Sequence, residues 1–190
     1  MSSRRLFLAL WPEKAFIARL RAAARDLDLA AARAVPERDW HVTLCFLGAV
    51  DDRAIGALCE RIGALRPARF ELEFDALEHW RDARVLAATC THVPAAALEL
   101  ARALGAESRS VGLTPAERPL KVHMTVARGV RTGLSGTIPR PLSPPLRLAA
   151  RRLYLAESHE PQAATAGRPS AARYSRVASW ALRGPRARER

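Results

Sequence analysis

Two tripeptides of the form His-x-Thr stand in this chain, each inside a short apolar run: Trp40-His41-Val42-Thr43-Leu44-Cys45-Phe46-Leu47-Gly48 and Val122-His123-Met124-Thr125-Val126-Ala127-Arg128-Gly129. Alternate residues of a β-strand point to one face. His41 therefore shares a face with Thr43, and His123 with Thr125, while Val42, Leu44, Met124 and Val126 are left for a core. Two imidazoles, each with a hydroxyl beside it, are the parts needed to move protons around a phosphate. An imidazole of ordinary pKa, about 6.5, populates both its forms near neutrality. One ring can then take a proton from an attacking water while the other gives one to a departing ester oxygen. The hydroxyls of Thr43 and Thr125 would donate to the non-bridging oxygens, where charge accumulates. The chain has no HExxH, no His-x-His and no carboxylate cluster with metal-ligand spacing, and the scheme calls for neither metal nor cofactor. A single His-x-Thr is ordinary strand composition. Two copies in matched contexts, 82 positions apart, read as a paired site. His79, His92 and His159 lack the threonine and the repeat and read as surface or hairpin residues.

The elements that must position these residues follow from hydrophobic period and breakers. Leu6 to Trp11 reads as a buried strand, followed after Pro12 by a helix with the stripe Phe16, Leu20, Ala24 and Leu27. The first His-x-Thr strand begins near Trp40. Asp51 or Asp52 caps a helix carrying Ile55, Leu58, Cys59, Ile62 and Leu65. Phe70 to Asp75 alternates strictly, the mark of a half-buried strand, and Arg84 to Thr91 reads as another. Pro94 opens a helix carrying Leu98, Ala101 and Leu104, with Gly112 as its stop. After the second His-x-Thr strand, residues 129–145 read as a long loop. Leu146 to Ala156 and Tyr174 to Leu182 read as a closing hairpin whose connection is residues 157–173, and residues 183–190 as a charged tail. Strand, helix and His-x-Thr strand thus occur twice. The pattern predicts an α+β domain over 1–182 built from two βαβ-like halves, roughly 4–80 and 84–182, related by a pseudo-twofold and facing a shared cleft.

Size and charge narrow the partners. A chain of 190 residues with 49% hydrophobic content is long enough for one domain or two small lobes with a substantial core. The net charge is +12, and all but Lys14 and Lys121 of the 31 basic residues are arginine. That balance attracts polyanions, nucleic acid before acidic membrane. Cys45, Cys59 and Cys90 are odd in number and lack CxxC spacing, which fits a reducing cytosol rather than a disulfide framework. No apolar run approaches the roughly 18 residues of a membrane span. The expectation is a cytoplasmic protein with no obligate protein partner evident.

At these residues the chain resembles the two-histidine (2H) phosphoesterase superfamily, and within it the RNA 2′,3′-cyclic phosphodiesterases, also called 2′-5′ RNA ligase-like proteins. The resemblance runs from Arg4 to about Leu182. Beyond the two motifs its landmarks are Arg5-Leu6-Phe7-Leu8-Ala9-Leu10-Trp11-Pro12, Val35-Pro36, Phe46-Leu47-Gly48, Trp80-Arg81 with Val85-Leu86, Glu157-Ser158, and Tyr174 with Trp180. It implies a bilobal α+β duplication, with antiparallel sheets, flanking helices and a central cleft. It also implies a metal-independent hydrolysis of RNA 2′,3′-cyclic phosphate ends, or of nucleoside 2′,3′-cyclic phosphates, to 2′-phosphomonoesters. On that pattern His41 is the proton donor to O3′, His123 the acceptor that activates water, and Thr43, Thr125 and Arg128 bind the phosphate. Phe46 stacks on a base or packs in the core. Departures lie around the pocket: Leu120-Lys121-Val122 replace an aromatic-x-Pro, and Ala87 replaces an aromatic. Arg128 is three residues after Thr125, so a regular strand would turn it away from His123 and a bulge or strand end must re-aim it. Arg118 and Lys121 are alternative phosphate contacts. Other readings are a non-catalytic nucleotide or RNA-end binding module, the reverse 2′-5′ ligation, and a nucleic-acid protein acting through charge alone.

Overall fold

A computed structural model of the chain describes residues 3–27, 29, 32–131, 138–160 and 172–184. Among the described residues, nine strands and three α-helices are built from the patterns above. In chain order the elements are β1 (Ser3–Leu10), α1 (Lys14–Ala24), β2 (Arg33–Ala34), β3 (Val42–Asp51), α2 (Asp52–Ala64), β4 (Phe70–Trp80), β5 (Val85–Thr89), α3 (Ala95–Ser110), β6 (His123–Arg128), β7 (Arg140–Ala150), β8 (Arg152–Ser158) and β9 (Tyr174–Ala181). One sheet has the order β3-β1-β8-β9 and the other β2-β6-β5-β4-β7. Every strand pair within them is antiparallel.

Local chemistry explains the helix ends. Asp51 supplies the cap of α2, its carboxylate accepting from the Arg53 N–H at 2.9 Å. α3 closes with Gly112 at φ +81°. There the Leu113 N–H donates to the Ser108 carbonyl (3.1 Å) and the Gly112 N–H to that of Arg109 (2.9 Å). This paired closure needs a left-handed residue, the conformation glycine adopts without penalty.

The repeat takes a specific form. β1–α1–β3 and β5–α3–β6 each place the His-x-Thr strand antiparallel beside the strand that precedes the helix, so neither is a parallel βαβ crossover. α1 lies on the second sheet, where Phe16 meets Phe74 edge-on at 5.3 Å. α3 packs on β3 of the first sheet and on α2. Each unit thus lends its helix to the other unit's sheet, and one continuous core runs through Leu8, Leu20, Leu58, Phe74, Met124 and Leu155.

Three expectations need correction. Residues 140–145 are strand, not loop: β7 begins at Arg140 and pairs with β4. It lies at the edge of its sheet, where proline is tolerated because the missing N–H need not face a neighbour. Pro144 and Pro145 fall in the irregularity between the Pro141 and Leu146 pairings. Next, Leu146 to Ala156 is not one hairpin arm. Leu146, Leu148 and Ala150 are buried in the second sheet, and Leu153 and Leu155 in the first. The switch occurs at Arg151, where the buried positions slip from even to odd. As a result β8 and β9 join β1, β4 and β2 join the other sheet, and the sheets do not follow the halves 4–80 and 84–182. Finally, Leu100 and Leu104 carry the core face of α3, while Leu98 and Ala101 are half-buried and face a cavity. Parts of the expected loop (132–137), connection (161–171) and tail (185–190) lie outside the described residues.

Phe74 is fully buried where α1 meets the second sheet. Phe74→Ala is expected to lower stability by about 3–5 kcal/mol, measured as a fall in the urea midpoint.

Candidate active site

His41 immediately precedes β3 and His123 opens β6. The Nδ1 of each ring lies 2.7 Å from the carbonyl oxygen two residues earlier, that of Asp39 for His41 and that of Lys121 for His123. A carbonyl oxygen only accepts, so Nδ1 carries the hydrogen and donates in both cases. Nε2 is left as the working nitrogen of each ring, an acceptor in the neutral form and a donor in the imidazolium. His41, Thr43, His123 and Thr125 line one chamber of about 380 Å³ between the sheets. Neither threonine hydroxyl has a hydrogen-bond partner among the described residues, so both are available to the contents of the chamber.

A bulge follows each threonine. Along β3, Ala9 pairs with Thr43 and Leu8 with Cys45, so Leu44 is extra. Along β6, Ala87 pairs with Thr125 and Leu86 with Ala127, so Val126 is extra. The inserted residue inverts the alternation, and the residue three after each threonine returns to the chamber. That residue is Phe46 in one strand and Arg128 in the other, and both line the chamber. The bulge that Arg128 requires is present. Phe46 stands in the cleft wall, half-buried, with the Arg5 guanidinium 4.8 Å from its ring centroid.

Aromatic rings confine both imidazoles. His41 is stacked on Trp11 (centroids 5.1 Å apart, 28° between planes), lies 4.9 Å from Phe7 and meets the edge of Tyr174 at 4.6 Å. Trp11 is itself anchored, its Nε1–H donating to the Arg38 carbonyl at 3.2 Å. His123 lies 4.7 Å from Trp80, whose Nε1–H donates to Glu78 at 2.7 Å. Burial pushes His41 down to about 4; charge at His123, Arg128 and Arg173 acts in the same direction, against the hydrogen bond to the Asp39 carbonyl. Burial also lowers His123, aided by Arg118, Lys121 and Arg128 and opposed by the Lys121 carbonyl. Both rings are therefore neutral bases at neutral pH, and an anion between them would favour their charged forms.

Two further polar groups face the chamber unpaired. Asp39 is 4% exposed and its Oδ1 has no partner, and the Arg173 Nε is likewise buried without one. Such groups are uncommon in a folded interior and are open to a polar ligand. Among the described residues no group of three His, Cys, Asp or Glu side chains is placed to hold a metal ion, and no helix is long and apolar enough to cross a membrane. A second compartment of about 640 Å³ adjoins the chamber and shares Thr43, Phe46, Trp80, Arg118 and His123 with it. Cys45 lines this compartment, but burial pushes its thiol up to about 11, so it is no nucleophile at neutral pH.

The aromatic cage was not legible as such in the sequence. Phe7 and Ala9 sit between Leu6, Leu8 and Leu10, and a strand buried on both faces shows no alternation to reveal which face lines a cleft. Arg173 carries no local signal at all. His79, His92 and His159 do not line the chamber. Nitrogen-detected NMR of the imidazoles should show Nδ1–H tautomers for His41 and His123 at pH 7, with His41 titrating near pH 4. A His41 midpoint at or above 6.5 would contradict the burial of its ring.

Known proteins share this fold. Residues 10–87 match the family model described as LigT like phosphoesterase. The RNA 2′,3′-cyclic phosphodiesterase of Escherichia coli K12 is 31% identical over 111 residues, which span 58% of this chain and 62% of that relative. The crystal structure of E. coli LigT complexed with 3′-AMP superposes with a TM-score of 0.79 at 26% identity, over 95% of this chain and 99% of that one. TT0787 of Thermus thermophilus shares the fold at a TM-score of 0.71 and 23% identity, with 95% and 98% covered. The family match, the curated relative and the nearly full-length structural likeness agree in making the chain similar to the LigT-like phosphoesterases.

Proposed function

We propose that this protein hydrolyses 2′,3′-cyclic phosphodiesters at RNA ends, or on nucleosides, to 2′-phosphomonoesters, with His41 and His123 as the acid–base pair and no metal. The carrying observation is that both imidazoles spend Nδ1 on a backbone carbonyl and line one chamber with the two threonines. The E. coli relative is named an RNA 2′,3′-cyclic phosphodiesterase, and E. coli LigT is seen with 3′-AMP.

The cyclic phosphodiester is a monoanion, and the chamber that receives it is lined by Arg5, Arg118, Arg128 and Arg173. Arg128 holds a non-bridging oxygen, and the Thr43 and Thr125 hydroxyls donate to the oxygens where charge grows. Burial, aided by nearby cations, keeps His41 neutral; the bound anion favours its charged form, so His41 takes up the proton it must deliver. Water attacks phosphorus opposite O3′. The Nε2 of His123 accepts the water's proton as the P–O3′ bond breaks, and the Nε2–H of His41 protonates O3′. Phe46 supports the base of the terminal nucleotide by stacking. The donor and acceptor assignment follows the family resemblance, since the two histidines have equivalent Nδ1 contacts. The reverse reaction, attack of a 5′-hydroxyl RNA on the cyclic end, uses the same groups.

Phosphorus NMR of a 2′,3′-cyclic phosphate-ended oligonucleotide, incubated with enzyme in excess chelator, should show a 2′-monophosphate. His41→Ala and His123→Ala should each cut kcat by about 10²–10⁴ with the urea midpoint preserved. A 3′-monophosphate would swap the leaving oxygen, full activity in His123→Ala would remove the base, and binding without turnover in the wild type would leave an RNA-end binding module.

The pH profile follows from the two depressed imidazoles. kcat/KM rises with pH as His123 loses its proton and falls as His41 loses its own. Both values lie below 6.5 in the free enzyme, so the bell should peak on the acid side of 6.5. The kcat profile should lie at higher pH, because the bound anion favours imidazolium. A kcat/KM maximum above pH 7 would count against the pair.

A further inference from the structure

The second compartment is larger than the chamber that holds the chemistry, about 640 Å³ against 380 Å³. One of its walls is α3 from Leu98 to Arg109, a length of about 16 Å at 1.5 Å per residue. That is several times the roughly 3.4 Å advance of a stacked nucleotide along its strand. We propose that this compartment is a subsite for the nucleotide that precedes the cyclic end, so the enzyme discriminates an RNA strand from a mononucleotide. The inference rests on the cyclic phosphodiesterase reading and extends it to the substrate class.

The wall has the chemistry of a single-stranded RNA site. Leu98 and Ala101 are half-buried and turned from the core to the cavity, and Leu120 also lines it. These are apolar surfaces on which a base can lie. Arg102 and Arg109 stand on the same wall. The Arg109 guanidinium lies along the helix over Gly105, where an added Cβ would be 3.6 Å from Nη1. A planar guanidinium laid flat on a wall can stack on a base or hold a phosphate by two hydrogen bonds. Glu117 also lines the compartment and meets Arg109 at 3.9 Å, but that pair is exposed and loose, and an incoming phosphate can replace it at small cost.

The two compartments share Phe46, Trp80 and His123 in their walls. Lys121 lines the second compartment, its Nζ 4.0 Å from the centroid of Trp80, which lines both. A strand with its cyclic phosphate between the histidines would pass Lys121 and bring its next phosphodiester to Arg102 and Arg109. Neither arginine lines the reactive chamber, so their contribution depends on a second nucleotide.

The test is a selectivity ratio, kcat/KM for the dinucleotide ApA 2′,3′-cyclic phosphate over that for adenosine 2′,3′-cyclic phosphate. Wild type should favour the dinucleotide by about tenfold or more, mostly through KM, as expected for two charged contacts. Arg102→Ala/Arg109→Ala should bring the ratio toward one. Both substrates are read on the same protein, so a folding defect does not mimic the result. A wild-type ratio near one, or a ratio unchanged in the double variant, overturns the subsite. If neither compound is hydrolysed, the phosphodiesterase reading fails instead. The subsite is then decided by binding of ApA 3′-phosphate against adenosine 3′-phosphate: tighter dinucleotide binding lost in the double variant supports it, and equal binding overturns it.

Discussion

Each of the two facing imidazoles is held by a backbone carbonyl. The Nδ1–H of His41 is committed to Asp39 and that of His123 to Lys121, both at 2.7 Å and both two residues upstream. A side chain could rotate away with its partner, but a carbonyl in the main chain moves only with the strand entry itself. This bond fixes the tautomer, leaves Nε2 for other partners and ties each ring to the start of β3 or of β6. The aromatic packing around His41 and the Trp80 ring beside His123 make sense as its supports. They close the remaining rotation and strip the rings of water, which favours the neutral form of both.

The rest of the architecture brings the two held rings to one place. Placing α1 on the second sheet and α3 on the first joins the two units through a common core. Relative movement of the two histidines would require repacking that core, which interiors of native density resist. The paired bulges do the finer work. Leu44 and Val126 each add one residue directly after the threonine, and the chain returns Phe46 and Arg128 to the chamber from positions that regular strands would bury. One half so presents an aromatic face and the other a cation, an asymmetry that a substrate with a base at one end and a phosphate at the other can read.

Charge is distributed to match. The net +12 raises the local concentration of a polyanion, and the chamber lining carries Arg5, Arg118, Arg128 and Arg173 against the buried carboxylate of Asp39. Burial first, and these cations second, hold the imidazoles below their ordinary pKa, and an anion among them would favour the imidazolium form.

The two His-x-Thr strands, the stripe of α1, the Asp51 cap and the glycine stop of α3 were legible in the sequence because each is set by contacts within a few residues: strand alternation, helical period, a capping carboxylate, a left-handed turn. So was the requirement that a bulge or the strand end re-aim Arg128 if it is to face the site, since regular strand parity turns it away. What only the tertiary structure decided are features made by distant segments. The edge position of β7 turned a proline-rich stretch into strand. The sheet switch at Arg151 is a one-residue slip in phase that has no meaning until each sheet has a core face. The cage of Phe7, Trp11 and Tyr174, the Trp80 wall, and the turn of Leu98 and Ala101 from core to cavity depend on which surface packs against which. Local periodicity reports that a face is apolar; only the packed fold decides whether that face meets a core or a substrate.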